Sequence, residues 1–252
     1  MWTDDQLSRD AFLGGRLQLW QPIKGYRAAT DPVLLAAACP ATTGQSVLDL
    51  GCGAGAAALC LATRVPGLLL AGLELQEDFA SLARRNAAEN AITMQVETGD
   101  LTRMPKPLRR AFDHVIANPP YYATGGTPSP LPSRAQAMQV ETPLADWVHA
   151  AARRLHPGGW LTMILGTDAL PAVLTALPPR LGSITILPLA PRETRPATRI
   201  LLRARKGGRA PFRLLAPLIQ HAGPVHDGDR DSYSARANDI LRNGATLSAD
   251  FS

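Results

Sequence analysis

The sequence predicts an α/β fold, a mostly parallel seven-stranded sheet with helices on both faces and an antiparallel strand at one edge. Two observations predict it. Short apolar runs alternate with amphipathic stretches of helical length from residue 46 to residue 177, the pattern of strand–helix–strand units. Residues able to do chemistry stand where those strands end: Asp49-Leu50-Gly51-Cys52-Gly53-Ala54-Gly55 after the first and Asn118-Pro119-Pro120-Tyr121 after the fourth. Open parallel sheets bind ligands at that edge. The 252 residues, 46% hydrophobic and 19% charged, suffice for one such unit with additions at its edges.

Residues 15–27 alternate around Gly25 and predict a short hairpin, followed by Thr30-Asp31-Pro32, an N-cap and first-turn proline for a helix through Ala38. Ser46–Leu50 is the first strand, 54–65 a helix, 68–73 the second strand and 77–90 a helix with Phe79, Leu82, Ala83 and Ala87 on one face. The third strand is 92–97 and the fourth Phe112–Ala117, followed by a Pro- and Gly-rich loop at 123–133. Leu144, Trp147, Val148, Ala151, Ala152 and Leu155 line the next helix, which Pro157-Gly158-Gly159 ends before a fifth strand at 160–165. A helix at 168–177 and strands at 183–187 and 198–205 follow, the strands pairing antiparallel across a turn containing Pro191. A last helix at 234–242 is expected to pack Ala237, Ile240 and Leu241 on the sheet. This divides the chain into an N-terminal hairpin and helix packing on the core (1–45), the core (46–206) and a C-terminal extension of the same domain (207–252).

Several function classes are disfavoured. No run of eighteen apolar residues occurs, and the first ten residues carry three aspartates, which argues against a membrane span or signal peptide. Cys39, Cys52 and Cys60 show no Cys-x-x-Cys spacing and suit a reduced, cytoplasmic compartment. Histidines 114, 149, 156, 221 and 226 have no ligand spacing, so no metal is expected. His114, on a buried strand, reads as a packed residue.

The glycine segment is Gly-x-Gly-x-Gly, not the dinucleotide spacing, and lacks the Gly-Lys-Ser/Thr of a phosphate loop. Its backbone N–H groups are free to approach a ligand other than a pyrophosphate. Glu74 ends the second strand, where a carboxylate can accept two ribose hydroxyls or simply favour a helix N-terminus. Gly99-Asp100-Leu101 follows the third strand, and Asp100 is either an acceptor for an exocyclic amine or an ordinary turn residue. In Asn118-Pro119-Pro120-Tyr121, the Asn118 side-chain oxygen and the Pro119 carbonyl can hold both N–H bonds of a planar amine, and Tyr121 can stack on its ring.

Taken in order, these motifs resemble the class I S-adenosylmethionine-dependent methyltransferases, over roughly residues 25–205, and imply a Rossmann-like doubly wound sheet with S-adenosylmethionine as cofactor. Gly25-Tyr26-Arg27-Ala28-Ala29-Thr30-Asp31-Pro32-Val33-Leu34-Leu35-Ala36, the Asn-Pro-Pro-Tyr-Tyr run and the strand from Arg199 to Lys206 look like the bacterial valine-tRNA adenine-N6 methyltransferase family. The resemblance implies that Asn118, Pro119 and Tyr121 are catalytic. It likewise implies that Thr30, Asp31, Asp49, Gly51, Gly53, Glu74, Asp100, Leu101 and Asn118 hold the cofactor.

Charge points to the partner. Between Arg192 and Arg213 eight basic side chains face one acid, Glu193. Arg199, Arg203 and Arg205 share one face of a strand and, with Arg195 and Lys206, are expected to form a phosphate track for RNA, or else the charged face of an edge strand. The expected reaction is transfer of a methyl group to an exocyclic base amine in structured RNA, adenine N6 in tRNA. Alternatives are a protein glutamine amide, disfavoured because only 48 residues precede Asp49, guanine N2 of ribosomal RNA, and a non-catalytic cofactor-binding module.

Overall fold

A computed structural model describes residues 2–120, 142–223 and 232–251. The chain begins with an antiparallel hairpin, β1 (Leu7–Phe12) and β2 (Leu17–Pro22), then α1 (Asp31–Ala38). There follow β3 (Ser46–Leu50), α2 (Ala56–Arg64), β4 (Leu69–Glu74), α3 (Glu77–Glu89), β5 (Met94–Thr98) and β6 (Phe112–Ala117). The second half comprises α4 (Leu144–Arg154), β7 (Leu155–Gly166), α5 (Leu170–Ala176), β8 (Leu181–Ala190) and β9 (Arg199–Lys206). Two short strands, β10 (Arg213–Leu214) and β11 (Leu218–Ile219), and α6 (Ala235–Asn243) complete it.

The main sheet runs β10-β8-β9-β7-β6-β3-β4-β5, with β11 also on β8. Its seven long strands are those expected, and β3 to β7 are mutually parallel. The antiparallel strand is not at the edge, however: β9 lies one strand in, antiparallel to both β7 and β8, and β10 and β11 extend the sheet beyond β8. Strand order reverses beside β3, with β4 on one side and β6 on the other, which opens a crevice at the carboxyl ends of β3 and β6. All five residues of β3 are buried, as a central parallel strand covered on both faces requires. One apolar layer joins α1, α2 and the hairpin; the other lies beneath α4 and α5.

Two boundaries and one packing partner differ from the sequence reading, which placed the last helix on the sheet. The hairpin turns at Leu13–Gly15, ahead of the expected Gly25, because Ser8-Arg9-Asp10 in β1 lacks the apolar alternation that marks a strand. Pro157-Gly158-Gly159 lies within β7, where the pairing register to β6 shifts between Phe112 and His114. Helix α6 packs on α1 and the hairpin turn, and the Leu247 N–H just beyond it donates to the Ala37 carbonyl at 2.9 Å.

The hairpin is fastened to α3 by two asparagines one turn apart. Asn86, fully buried, accepts the Trp20 N–H (2.8 Å) and donates to the Trp20 carbonyl (3.1 Å) and to the Ala54 carbonyl (2.9 Å). Asn90 repeats the pair on Gln18, accepting its N–H (3.1 Å) and donating to its carbonyl (2.7 Å). Their carboxamides substitute for a neighbouring strand along the outer edge of β2. No helix among the described residues is long and apolar enough to cross a membrane.

Removing the Asn86 carboxamide orphans backbone groups of Trp20 and Ala54 at once. Asn86→Ala is therefore expected to lower unfolding free energy by about 3 kcal/mol in urea titration, well beyond a typical surface substitution; an unchanged midpoint would refute this assignment.

Candidate active site

At the end of β3 the chain enters the left-handed region three times, with φ of +67° at Gly51, +53° at Gly53 and +87° at Gly55. Each glycine has a different surrounding. A Cβ on Gly51 would meet the Trp147 ring of α4 at 2.5 Å, whereas one on Gly53 would meet nothing within 4 Å, so Gly53 is where a ligand can approach the backbone. The Gly51 and Cys52 N–H groups both donate to the Leu73 carbonyl, at 2.8 and 3.0 Å, which fixes the loop against β4.

Two carboxylates lie under this loop. Glu74, at the end of β4, accepts the Gly53 N–H on one oxygen and the Gln76 N–H on the other, both at 2.9 Å. Burial raises its pKa, and those N–H groups offset the rise only in part. Asp49, only 2% exposed, accepts the Ala58 N–H of α2 at 3.2 Å. Burial pushes Asp49 up to about 8; the Ala58 bond opposes this, and the charge of Glu74 adds to it.

The wall opposite comes from the segment between β2 and α1. Gln21 is buried and exchanges hydrogen bonds with Ala28, accepting its N–H at 2.7 Å and donating to its carbonyl at 3.2 Å. Arg27 pairs with Asp10 at 2.6 Å and donates to the Pro22 carbonyl at 3.0 Å. So held, Tyr26 stands over the crevice with its ring edge-on to Phe79, centroids 6.5 Å apart. As a residue it is 57% exposed, yet its hydroxyl points inward, and burial of that end, followed by the charges of Asp31, Asp49 and Glu74, raises its pKa. The Asn118 Nδ2 donates to this hydroxyl at 3.4 Å. The other end of the same carboxamide, Oδ1, is buried and has no hydrogen-bond partner among the described residues.

One cavity thus gathers Asp49, Gly51, Gly53 and Asn118 from the expected set, together with Gln21, Tyr26 and Phe79. Buried Pro119 follows directly, while Tyr121 lies outside the described residues. The Thr30 side chain makes no cap bond, and Asp31 is paired with Arg199 of β9 at 2.9 Å. Asp100 accepts the Thr102 N–H at 2.7 Å on one carboxylate oxygen, and Leu101 is buried in the core beneath α4. Phe79 and Gln21 were missed because an aromatic on a helix face and a glutamine in a strand read as packing. Their role depends on the hairpin lying over α3, which no local pattern announces.

The expected phosphate track is not formed. Because β9 has a strand on each side and helices over its faces, Leu201 and Arg203 of the supposed charged face are buried. Arg203, 5% exposed, donates to the Ala38 carbonyl at 2.6 Å beneath the C-terminus of α1 and lies over the Phe251 ring at 3.9 Å. Burial brings its pKa down to about 10. Arg199 serves Asp31, Arg205 donates to the Gly158 carbonyl at 3.0 Å, and Lys206 to the Leu155 carbonyl at 2.6 Å. Arg195 is exposed in the turn between β8 and β9. Arg192, at the head of the basic segment, is buried and donates to the Gly223 carbonyl at 2.9 Å.

These residues suit S-adenosylmethionine. Glu74 is buried beside the cavity without lining it, and each of its oxygens can accept a second hydrogen bond, as a pair of ribose hydroxyls requires. The space over Gly53 admits close backbone approach, and the Asp49 carboxyl gives the cavity an acid that ionises beside a cation. The buried Asn118 Oδ1 calls for a donor, and an exocyclic amine is one.

Residues 29–172 match the family described as the Methyltransferase small domain. A tRNA1(Val) (adenine(37)-N6)-methyltransferase of Dickeya chrysanthemi is 29% identical over 221 residues, 86% of each chain. One from Klebsiella pneumoniae is 31% identical over 183 residues, 70% of this chain and 74% of that protein. Among solved structures, an Agrobacterium tumefaciens protein described as a predicted O-methyltransferase superposes with a TM-score of 0.69 at 29% identity, covering 86% of this chain and 97% of that one.

The raised Asp49 pKa has a signed consequence. The folded chain keeps a proton that the unfolded chain, with an ordinary value of 3.8, releases. That contribution is complete below about pH 4 and is lost as pH rises through about 8. Urea midpoints measured from about pH 5 to about pH 9 are therefore expected to fall for the native sequence relative to Asp49→Asn, and parallel curves would contradict it.

Proposed function

Because the chain belongs to the Methyltransferase small domain family, as a class I S-adenosylmethionine-dependent methyltransferase, we propose that it methylates the N6 amine of an adenine in tRNA. The observation that carries this reading is the buried Asn118 Oδ1 at the end of β6, unpartnered among the described residues and beside the open face of Gly53. The names of the two relatives support the choice of base and RNA.

When bound, the cofactor supplies an electrophilic methyl group on a sulfonium. The chain's part is to aim the nucleophile. An adenine amine is a poor nucleophile because its lone pair is delocalised into the ring. With one N–H accepted by Asn118 Oδ1 and the other by the Pro119 carbonyl, the nitrogen lone pair is left pointing into the cavity, and positioning supplies most of the rate. Tyr26 acts on Asn118. Its hydroxyl accepts from Nδ2 and so fixes which end of the carboxamide faces the amine. Stacking on the extruded base is the part that the sequence expects of Tyr121, which lies outside the described residues. Neither Asn118 nor Pro119 is a strong base, which suits an amine that becomes acidic only once methylated; a hydroxyl acceptor would need a base to remove its proton first.

Asn118→Ala is expected to keep cofactor affinity by calorimetry and to lose at least about a hundredfold in methyl transfer to tRNA. Tyr26→Phe should bind the cofactor normally and lose several-fold in kcat. Labelled methyl should be released from the product by nuclease and recovered as N6-methyladenosine. Undiminished transfer by Asn118→Ala, or label released by protease, would overturn the proposal.

A further inference from the structure

The end of the sheet opposite the cavity carries a charge of its own. Pairing register places Phe112 beside Leu155, Trp160 beside Arg205 and Leu181 beside Lys206, so the starts of β6, β7 and β8 and the finish of β9 lie together. The residues flanking them are Arg109 and Arg110 before β6, Arg153 and Arg154 before β7, Arg180 before β8, and Lys206 at the end of β9. Arg109, Arg110, Arg153 and Arg180 are exposed, and Arg154 and Lys206 half-buried.

These cations crowd one another. Arg154 has its pKa lowered first by burial and then by Arg153 and Arg109. Lys206 is lowered first by burial and then by Arg180 and Arg154. Among the described residues none of the six has a carboxylate within ion-pair distance. Asp113, an acid at this end, has an oxygen taken by the Ser46 N–H (2.8 Å) and hydroxyl (2.7 Å). The dipole of α4 accounts for Arg153 and Arg154. It does not account for cations brought there by three other segments.

We propose that this face binds the phosphate backbone of the substrate RNA at a point remote from the reacting base. Six residues of β6 at about 3.3 Å each separate Arg110 from Asn118 by ~20 Å along the strand. That is more than two Debye lengths at physiological salt, so the patch acts by touching the partner rather than by steering at the cavity. An RNA reaching both ends of the sheet must be a folded body larger than one hairpin. The inference rests on the reading that the substrate is tRNA, and it assigns part of the recognition to the body of that molecule.

The test compares a full-length tRNA(Val) transcript with a short RNA hairpin carrying its adenine 37, using the native sequence, Arg153→Gln/Arg154→Gln/Arg180→Gln, and a second variant confined to exposed side chains, Arg109→Gln/Arg110→Gln/Arg180→Gln. Both variants should raise KM for the transcript about tenfold, leave kcat and the hairpin KM unchanged, and reduce the salt slope of transcript binding by roughly one for each phosphate no longer neutralised. An unchanged transcript KM and slope in the second variant, or an equal loss on the hairpin, would overturn the proposal. If the native protein methylates neither RNA, the reading under Proposed function falls. Anisotropy then still decides the patch: equal transcript affinity in native and variant proteins, or preference for phosphatidylserine vesicles over tRNA, refutes it.

Discussion

A single buried carboxamide, that of Asn86, joins the two halves of the site. Through Trp20 it holds the N-terminal hairpin, and through the Ala54 carbonyl it holds the exit of the glycine loop, so the segment bearing Tyr26 and the loop bearing Gly53 are positioned by the same side chain. An amide suits this task because it both donates and accepts; an apolar residue would leave backbone groups unpaired, and a charged one would lose more on burial. Asn90 extends the arrangement by one helical turn and satisfies the next residue pair along β2. Because that edge is already occupied, β2 lies against α3 and pairs, among the described residues, with β1 alone.

Charge is sorted along the strands. At the carboxyl ends lie Asp49 and Glu74, both buried and both with raised pKa, which makes the cavity receptive to a cation. Between the ends, Arg64 and Arg203 lie under the C-terminus of α1 and donate to the Ala36, Cys39 and Ala38 carbonyls, where helical carbonyls lack partners of their own. The amino ends are ringed by arginine and lysine. A polyanion and a cationic ligand can therefore engage the same small domain without competing.

The sequence reading was most accurate where local chemistry and position coincide. Phe112–Ala117 ends as a strand where its apolar run meets Asn118-Pro119, since proline cannot continue the ladder. The glycine loop, likewise, needs φ values that only its residues reach without strain. What could not be read was anything set by strand order. Arg203 looked exposed because alternate basic residues mark a solvated face, but β9 is an interior strand, and only the sheet topology says so. The hairpin was misplaced for a related reason: the middle of β1 is polar, and its Asp10 serves the Arg27 pair instead of a core. Asp100, for which the turn role is the ordinary local reading, accepts the Thr102 N–H on one oxygen.

The contact between Gly51 and Trp147 joins residues almost a hundred positions apart, one at the end of β3 and one in the first turn of α4. A side chain at position 51 would have to displace that ring, so the seating of α4 and the course of the glycine loop form one constraint. Neither can be remodelled alone: a shift of the helix would release the loop, and a bulkier loop would lift the helix.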